Sequence, residues 1–296
     1  MDPTKAKSDL NPDAFNDLAR LVHTACGLKL VPEKIMMVQS RLRHRLRALD
    51  MSSFDAYVRL LCSPAGMDEK QHMISALTTN VSHFFREPHH FDVLTTAMRD
   101  EFRRRIYKKE RIRIWSAGCS NGQEPYSIAM HLLGEIPGLA DADFRILATD
   151  VDKRVIQFAR RGQYALQQVS GIPEQHRRAF THIDTADGQS VTIGAAVKSL
   201  ISFQELNLIS DWPMRHPFDA IFCRNVVIYF DAETQNRLWP RFANALRSDG
   251  FFFLGHSERV NAPDTFGFSS IGPTAYQRTG HSLPGFQKRG HLNGTA

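Results

Sequence analysis

The chain has 296 residues, 42% of them apolar and 23% charged, an ordinary globular composition with enough apolar surface for a sizeable core. Lys and Arg outnumber Asp and Glu by 37 to 31, a net charge of +6. That balance excludes an acidic solvating tail and permits an anionic partner such as nucleic acid, a membrane surface or an acidic protein face. At about 150 residues per domain, the length suggests two domains. No stretch approaches the roughly 18 apolar residues of a membrane span. Residues 1–5 lack the apolar segment of a signal peptide. A cytoplasmic protein without membrane insertion is expected. The four cysteines, Cys26, Cys62, Cys119 and Cys223, are far apart and form no CxxC pair, so neither a metal site nor a disulfide framework is expected. The adjacent His89 and His90 have no spaced Cys or His nearby and are not read as metal ligands.

Residues 13–25 place Phe15, Leu18, Val22 and Ala25 on one helical stripe, with Gly27 as a natural C-terminal stop. Residues 33–49 repeat the pattern with Ile35, Val38, Leu42, Leu46 and Leu49. Ser53 is placed to cap a third helix carrying Phe54, Tyr57, Val58 and Leu61, and a fourth covers roughly 67–77. No strand pattern interrupts them, so residues 1–85 read as a helical domain.

From about 111 the texture changes. Residues 111–117 (RIRIWSA) read as a strand ending in Gly118, with a helix at about 122–134. Residues 144–149 (FRILAT) form a second strand ending in Asp150, followed by a helix at 152–161. Residues 218–223 (FDAIFC) and 251–254 (FFFL) read as further strands around a helix at 232–247, and 275–278 (AYQR) as a final edge strand. Short apolar strands alternating with helices predict an α/β fold with a mostly parallel sheet covered on both faces. Between 168 and 204 the rhythm breaks. Asp187-Gly188 is a turn signal, followed by apolar runs at 191–193 and 200–203, which predicts a small antiparallel β insertion. The larger domain is taken as 86–281. The polar ends, 1–10 and 281–296, are expected to be mobile.

In open parallel sheets, ligands bind at the carboxyl ends of the strands. The first strand runs into Gly118 and Gly122, a GxxxG spacing that lets backbone approach a ligand without meeting the dinucleotide fingerprint. Glu124 follows at the helix start, suited to the helix dipole or to a cationic ligand. Asp150 ends the second strand, where a carboxylate accepts the hydroxyls of a ribose. It lies farther from Gly118 than the usual spacing of about 20 residues, and the loop at 136–143 accounts for the excess. Asp152 is placed to cap the next helix. The third strand ends in Arg224-Asn225, polar groups that are costly beside an apolar run unless hydrogen-bonded. Outside the sheet, residues 78–87 (TTNVSHFFRE) lie at the domain junction, placed to lay an aromatic wall and a cation over a cleft.

The segments TTNVSHFFRE, WSAGCSNGQEPYSIAM, ILATDVDKRVIQFARRGQY, FDAIFCRNVVIYFD and GFFFLGHSERV, in this order, resemble the CheR family of chemotaxis protein-glutamate O-methyltransferases. The resemblance runs from about residue 15 to 279. It implies a class I S-adenosylmethionine-dependent methyltransferase with a Rossmann-like sheet, which esterifies glutamates on chemoreceptor cytoplasmic helices and releases S-adenosylhomocysteine. By resemblance, Asn80, Ser82 and Arg86 contact the cofactor from the junction. Ser82 keeps the hydroxyl of the Thr that the family often has. Glu124 would hold the methionine amino group and Asp150 the ribose. Asn207 and Leu208 would flank the adenine, and Arg224 and Asn225 would line the methionine end.

A carboxylate acceptor is already ionised at neutral pH, so the reaction needs orientation rather than a general base. Arg86 and Tyr229 are the expected orienting residues, Arg86 through a charge-assisted hydrogen bond. Two basic stretches stand out. One holds Arg41, Arg43, Arg45 and Arg47, and the other covers 99–113. Each reads either as a solvated face or as a docking surface for an acidic receptor bundle. The resemblance favours docking by Arg41, Arg43, Arg45 and Arg47. It also allows the β insertion to bind a receptor's C-terminal tether peptide. Two other classes compete: a methyltransferase acting on nucleic acid, for which no RNA module or amino-group motif is found, and a non-catalytic scaffold.

Overall fold

The computed structural model describes residues 9–183 and 188–280. The expected mobility of 281–296 and of most of the first ten residues, and Asp187 of the turn signal, lie outside the described residues. Four helices open the chain: α1 (Pro12–Cys26), α2 (Ile35–Ala48), α3 (Phe54–Cys62) and α4 (Met67–Leu77). Asn11 caps α1 by accepting the Ala14 amide hydrogen, and Ser53 caps α3 by accepting that of Ala56. The stripes read from the sequence meet in one core, where Leu18, Val22, Val38, Leu42, Tyr57 and Leu61 are all buried. Gly27 ends α1 in a left-handed conformation (φ +78°). A β-carbon there would come within 2.9 Å of Ile209, so glycine is what lets this domain close on the next.

The second domain begins with α5 (His89–Tyr107), followed by β1 (Ile112–Ala117), α6 (Gln123–Glu135), β2 (Phe144–Asp150) and α7 (Lys153–Arg161). Then come β3 (Gln163–Ala165), α8 (Glu174–Phe180), β4 (Thr181–Ile183), β5 (Ser190–Ile193), α9 (Ala195–Lys198) and β6 (Ile201–Glu205). The chain continues through β7 (Phe218–Cys223), α10 (Ala232–Ala245), β8 (Leu246–Leu254), β9 (Phe268–Gly272) and β10 (Ala275–Arg278). The main sheet has seven strands in the order β6-β2-β1-β7-β8-β10-β9. The first five are parallel, and β10 is antiparallel to both its neighbours. Side chains alternate along β1: Ile112 and Ile114 pack under α5 and α6, while Trp115 and Ala117 face α10.

Four sequence expectations need revision. The antiparallel insertion is the three-stranded sheet β3-β5-β4, so it starts at Gln163, before 168, and ends by Ile193. The apolar run at 200–203 belongs to β6, the parallel edge of the main sheet, because a fully apolar run says nothing about which sheet it joins. β10 is interior, and β9 takes the edge. α10 stops at Ala245, since β8 already pairs through Leu246 with Phe218. The basic stretch at 99–113 contains the end of α5 and is largely neutralised: Arg99 pairs with Glu135, Arg104 with Glu101 and Glu110, Arg105 with Asp219, and Arg113 with Asp143.

Candidate functional site

Where β1, β2, β6 and β7 end, a cleft opens between the sheet, the 78–86 linker and the helical domain. It encloses about 940 Å³ of empty space, mouth included. Asn80, Ser82, Arg86, Gly118, Glu124, Asp150, Asn207, Leu208, Arg224, Asn225 and Tyr229 all line it, so the structure brings these sequence candidates into one cavity. Cys26 and Leu28 complete the wall from the helical domain.

One end of the cleft is held by groups that bind one another. Glu124 is buried at the start of α6, its Oε1 accepting from the Ser116 hydroxyl at 2.6 Å and its Oε2 from Arg224 Nε at 2.7 Å. Arg224 has only 3% of its side chain exposed and also donates to the Arg86 carbonyl at 2.6 Å. Asp150 accepts the amide hydrogens of Ser120 at 2.8 Å and Asp152 at 3.0 Å. Burial nevertheless pushes its carboxyl up to about 6. Gly118 has φ +85°, and a β-carbon there would lie 2.3 Å from Val226. Asn207 accepts the Ile209 amide hydrogen and donates to the Ala25 carbonyl at 2.6 Å, tying the loop after β6 to α1. Asp152 caps α7 as expected. It also accepts from Asn80 Nδ2 at 3.0 Å and from the Ser75 hydroxyl, so one carboxylate joins both domains and the linker.

Other groups of the lining are left free. Among the described residues, no hydrogen bond engages the Arg86 guanidinium, the Ser82 hydroxyl, the Asn225 side-chain amide or the Tyr229 hydroxyl. Arg86 is 23% exposed, and its neighbouring carboxylate oxygen, on Glu87, stands 4.0 Å away. Phe85 and Glu87, on either side of Arg86, both adopt positive φ, +53° and +55°. That strained turn is braced by the Ser127 hydroxyl, which accepts the Phe85 amide hydrogen at 2.9 Å, and by Arg224 from beneath.

Sequence reading missed His90 and Glu87. Burial drives His90 down to about 3, so it stays neutral beside Arg224. Burial opposes ionisation of Glu87, but the His256 amide and Arg224 hold its carboxyl below the usual range. Neither lies in a pattern with periodic or ligand-like spacing, which is why no signal found them. In α2, Arg45 forks onto Glu69 at 2.9 and 2.6 Å and Arg41 donates to the Leu77 and Thr78 carbonyls, so both guanidinium groups are spent inside the fold. Arg43 pairs with Asp9 at 3.0 Å, and Arg47 is exposed.

A Rossmann-like sheet with a carboxylate ending β2 and a glycine turn ending β1 marks an α/β domain that binds a nucleoside-containing ligand at its strand ends. Residues 80–275 match the family model described as "CheR methyltransferase, SAM binding domain", and residues 13–78 match "CheR methyltransferase, all-alpha domain". The chain belongs to the CheR methyltransferase family. It is 43% identical over 266 residues to a probable chemotaxis protein methyltransferase of Rhizobium etli, covering 89% of this chain and 98% of that one. It is 39% identical to chemotaxis protein methyltransferase 2 of Pseudomonas aeruginosa, covering 88% of this chain and 91% of that one. Identity to the chemotaxis protein methyltransferase of Escherichia coli is also 39%, over 83% of this chain and 84% of that one. The protein is therefore an S-adenosylmethionine-dependent methyltransferase of the chemotaxis family. No helix among the described residues is long and apolar enough to cross a membrane.

The residues present fit this cofactor. The space where a Gly118 β-carbon would sit is already closed by Val226, so only backbone faces the cavity there. Buried carboxylates at Glu124 and Asp150 suit an ammonium and a ribose, respectively.

Proposed function

We propose that the protein transfers the methyl group of S-adenosylmethionine to glutamate side-chain carboxylates on the cytoplasmic helical bundle of chemoreceptors, giving glutamyl methyl esters and S-adenosylhomocysteine. The observation that carries this reading is the Arg86 guanidinium and the Tyr229 hydroxyl lining one cavity, neither engaged by a hydrogen bond among the described residues. A cation and a hydroxyl with unused donors are what a carboxylate substrate needs. An amine or nucleobase acceptor would instead call for groups that accept protons.

When bound, S-adenosylmethionine supplies an electrophilic methyl on a sulfonium. Arg86 and Tyr229 hold one oxygen of the incoming carboxylate so that the other points along the methyl–sulfur axis. Transfer of that methyl to the ionised carboxylate would leave S-adenosylhomocysteine as the product. No proton moves, so no general base is required. Glu124 takes the methionine amino group, Asp150 the ribose, and Asn207 with Leu208 the adenine edge. Asn80, Ser82, Arg224 and Asn225 close the methionine end around it. The exposed cations of α2 meet the acidic receptor face. The outer strands of the β3-β5-β4 sheet, unpaired on one side among the described residues, suit pairing with a receptor's C-terminal tether peptide.

The test is transfer of a tritiated methyl group to purified receptor cytoplasmic fragments. The expected label is released by mild base, as an ester must be. Label that resists base, or that enters nucleic acid instead, overturns the reading.

A further inference from the structure

Behind the free end of the cleft lies a buried carboxylate that none of the assigned roles uses. Glu258 is 2% exposed and sits one turn beyond β8. Its Oε2 accepts the amide hydrogens of Asn225 at 2.7 Å and Gly255 at 2.6 Å, and its Oε1 accepts that of Ile228 at 3.1 Å. The groups that stabilise its charge are backbone amides of Gly255, Asn225, Ile228 and Val226, with no Lys, Arg or His among them. A buried carboxylate without a counter-ion is costly. Packing alone would be better served by an apolar side chain.

What that carboxylate holds is the turn that follows β7. Asn225 has φ +60°, a left-handed conformation unusual for a residue with a side chain. Gly255 lies so close that a β-carbon would come within 2.4 Å of Asn225 Nδ2 and 2.7 Å of its amide nitrogen. On the other side, Val226 presses onto Gly118. The turn is thus pinned from beneath by Glu258 and from above by the β1 loop. Its cavity face carries Asn225 and Tyr229.

We propose that Glu258 is the positioning residue of the methyl-transfer site, fixing the 225–229 turn so that Asn225 and Tyr229 face the reacting centre. It touches neither cofactor nor substrate and acts through those two side chains. This inference rests on the reading of the turn as the acceptor-facing wall. It assigns a purpose to a buried charged group that reaches across from the end of β8 to the end of β7.

The test is Glu258→Gln, which keeps the volume and one acceptor oxygen but sets an NH2 against an amide donor. Turnover should fall by between about tenfold and a hundredfold, the range that loss of positioning by an ångström produces. The KM for the receptor fragment and the Kd for S-adenosylhomocysteine should stay within about threefold, since neither ligand meets Glu258. Gly255→Ala leaves the carboxylate intact, pushes Asn225 aside and should also lower turnover. In the wild-type protein, amide hydrogen exchange should show Asn225, Ile228 and Gly255 protected together, and Glu258→Gln should release at least one of them. Turnover within threefold of wild type in folded Glu258→Gln, or a loss of product affinity as large as the loss of turnover, overturns the proposal. Exchange of the three amides unchanged by the substitution also overturns it. Failure of the wild-type protein to methylate any receptor fragment would instead refute the substrate reading, while the exchange measurement would still decide the role of Glu258.

Discussion

The two ends of the cleft are built on opposite principles. Glu124, Asp150 and Asn207, which the proposed reading sets against the cofactor, are each hydrogen-bonded within the protein. Ser82, Arg86, Asn225 and Tyr229 present polar groups on the same cavity that no hydrogen bond among the described residues engages. The difference separates two tasks. A cofactor of fixed shape is bound best by groups already locked in place, because little ordering remains to be paid on binding. A side chain delivered by another protein needs donors kept free for it, held by a braced backbone rather than by side-chain bonds. Arg86 shows this clearly, since its carbonyl is tied by Arg224 while its guanidinium is free.

The largest expected effect tests the free end. Arg86→Ala should cut turnover by about a hundredfold or more, the scale of losing a preorganised charge-assisted donor. Affinity for S-adenosylhomocysteine, measured by calorimetry, should change by less than about threefold. Equal losses in both would move Arg86 to the cofactor side and erase the contrast. At the locked end, Asp150 is expected to set a pH limit. Its carboxyl titrates near 6 in the ligand-free fold, so product affinity should be flat above pH 7 and fall by about tenfold toward pH 5. Asp150→Asn should flatten that profile. The effect on stability has the opposite sign. With a folded-state pKa above the unfolded value of 3.8, Asp150 contributes stability that is full at low pH and lost as pH rises through 6. At neutral pH the ionised group is therefore carried at a cost, which the proposed ribose contact would offset. Tyr229→Phe tests the free end with a smaller step. Removing one neutral hydroxyl donor should lower turnover by about tenfold and leave product affinity unchanged. A variant with full turnover would make Tyr229 a packing residue at the domain boundary.

The locked end was legible in the sequence, because strand ends and glycine turns have local signatures. Gly118, Glu124, Asp150 and Arg224 each stand at a boundary that periodicity alone locates. The braces were not legible. Asp152 was read only as a helix cap, yet it also gathers Ser75 and Asn80 from the other domain. Glu258 reaches Asn225, 33 residues away in the chain, and Glu87 reaches His256, 169 residues away, and no spacing rule reaches that far. The same limit misplaced the run at 200–203, since apolar strands carry no mark of the sheet they will join.

A like limit governs α2, where sequence showed four arginines at alternate positions and one shared expectation of docking. The fold divides them. Arg45 is 15% exposed and shares Glu69 with the buried Tyr57 hydroxyl, which donates to the same carboxylate at 2.7 Å. Arg45→Ala would strand that carboxylate and should cost about 3 kcal/mol of stability, read from denaturant unfolding. Arg47 is exposed and reaches only the Arg43 carbonyl, at 3.4 Å. Arg47→Glu should leave stability within about 0.5 kcal/mol of wild type, as surface substitutions do. If Arg47 meets an acidic receptor face, its reversal should raise the KM for receptor fragments several-fold at low ionic strength. Screening should remove most of that difference by about 0.5 M salt, where the Debye length falls below roughly 5 Å. A KM unchanged at low salt would place Arg47 outside the docking surface and leave α2 a helix whose arginines serve the fold alone.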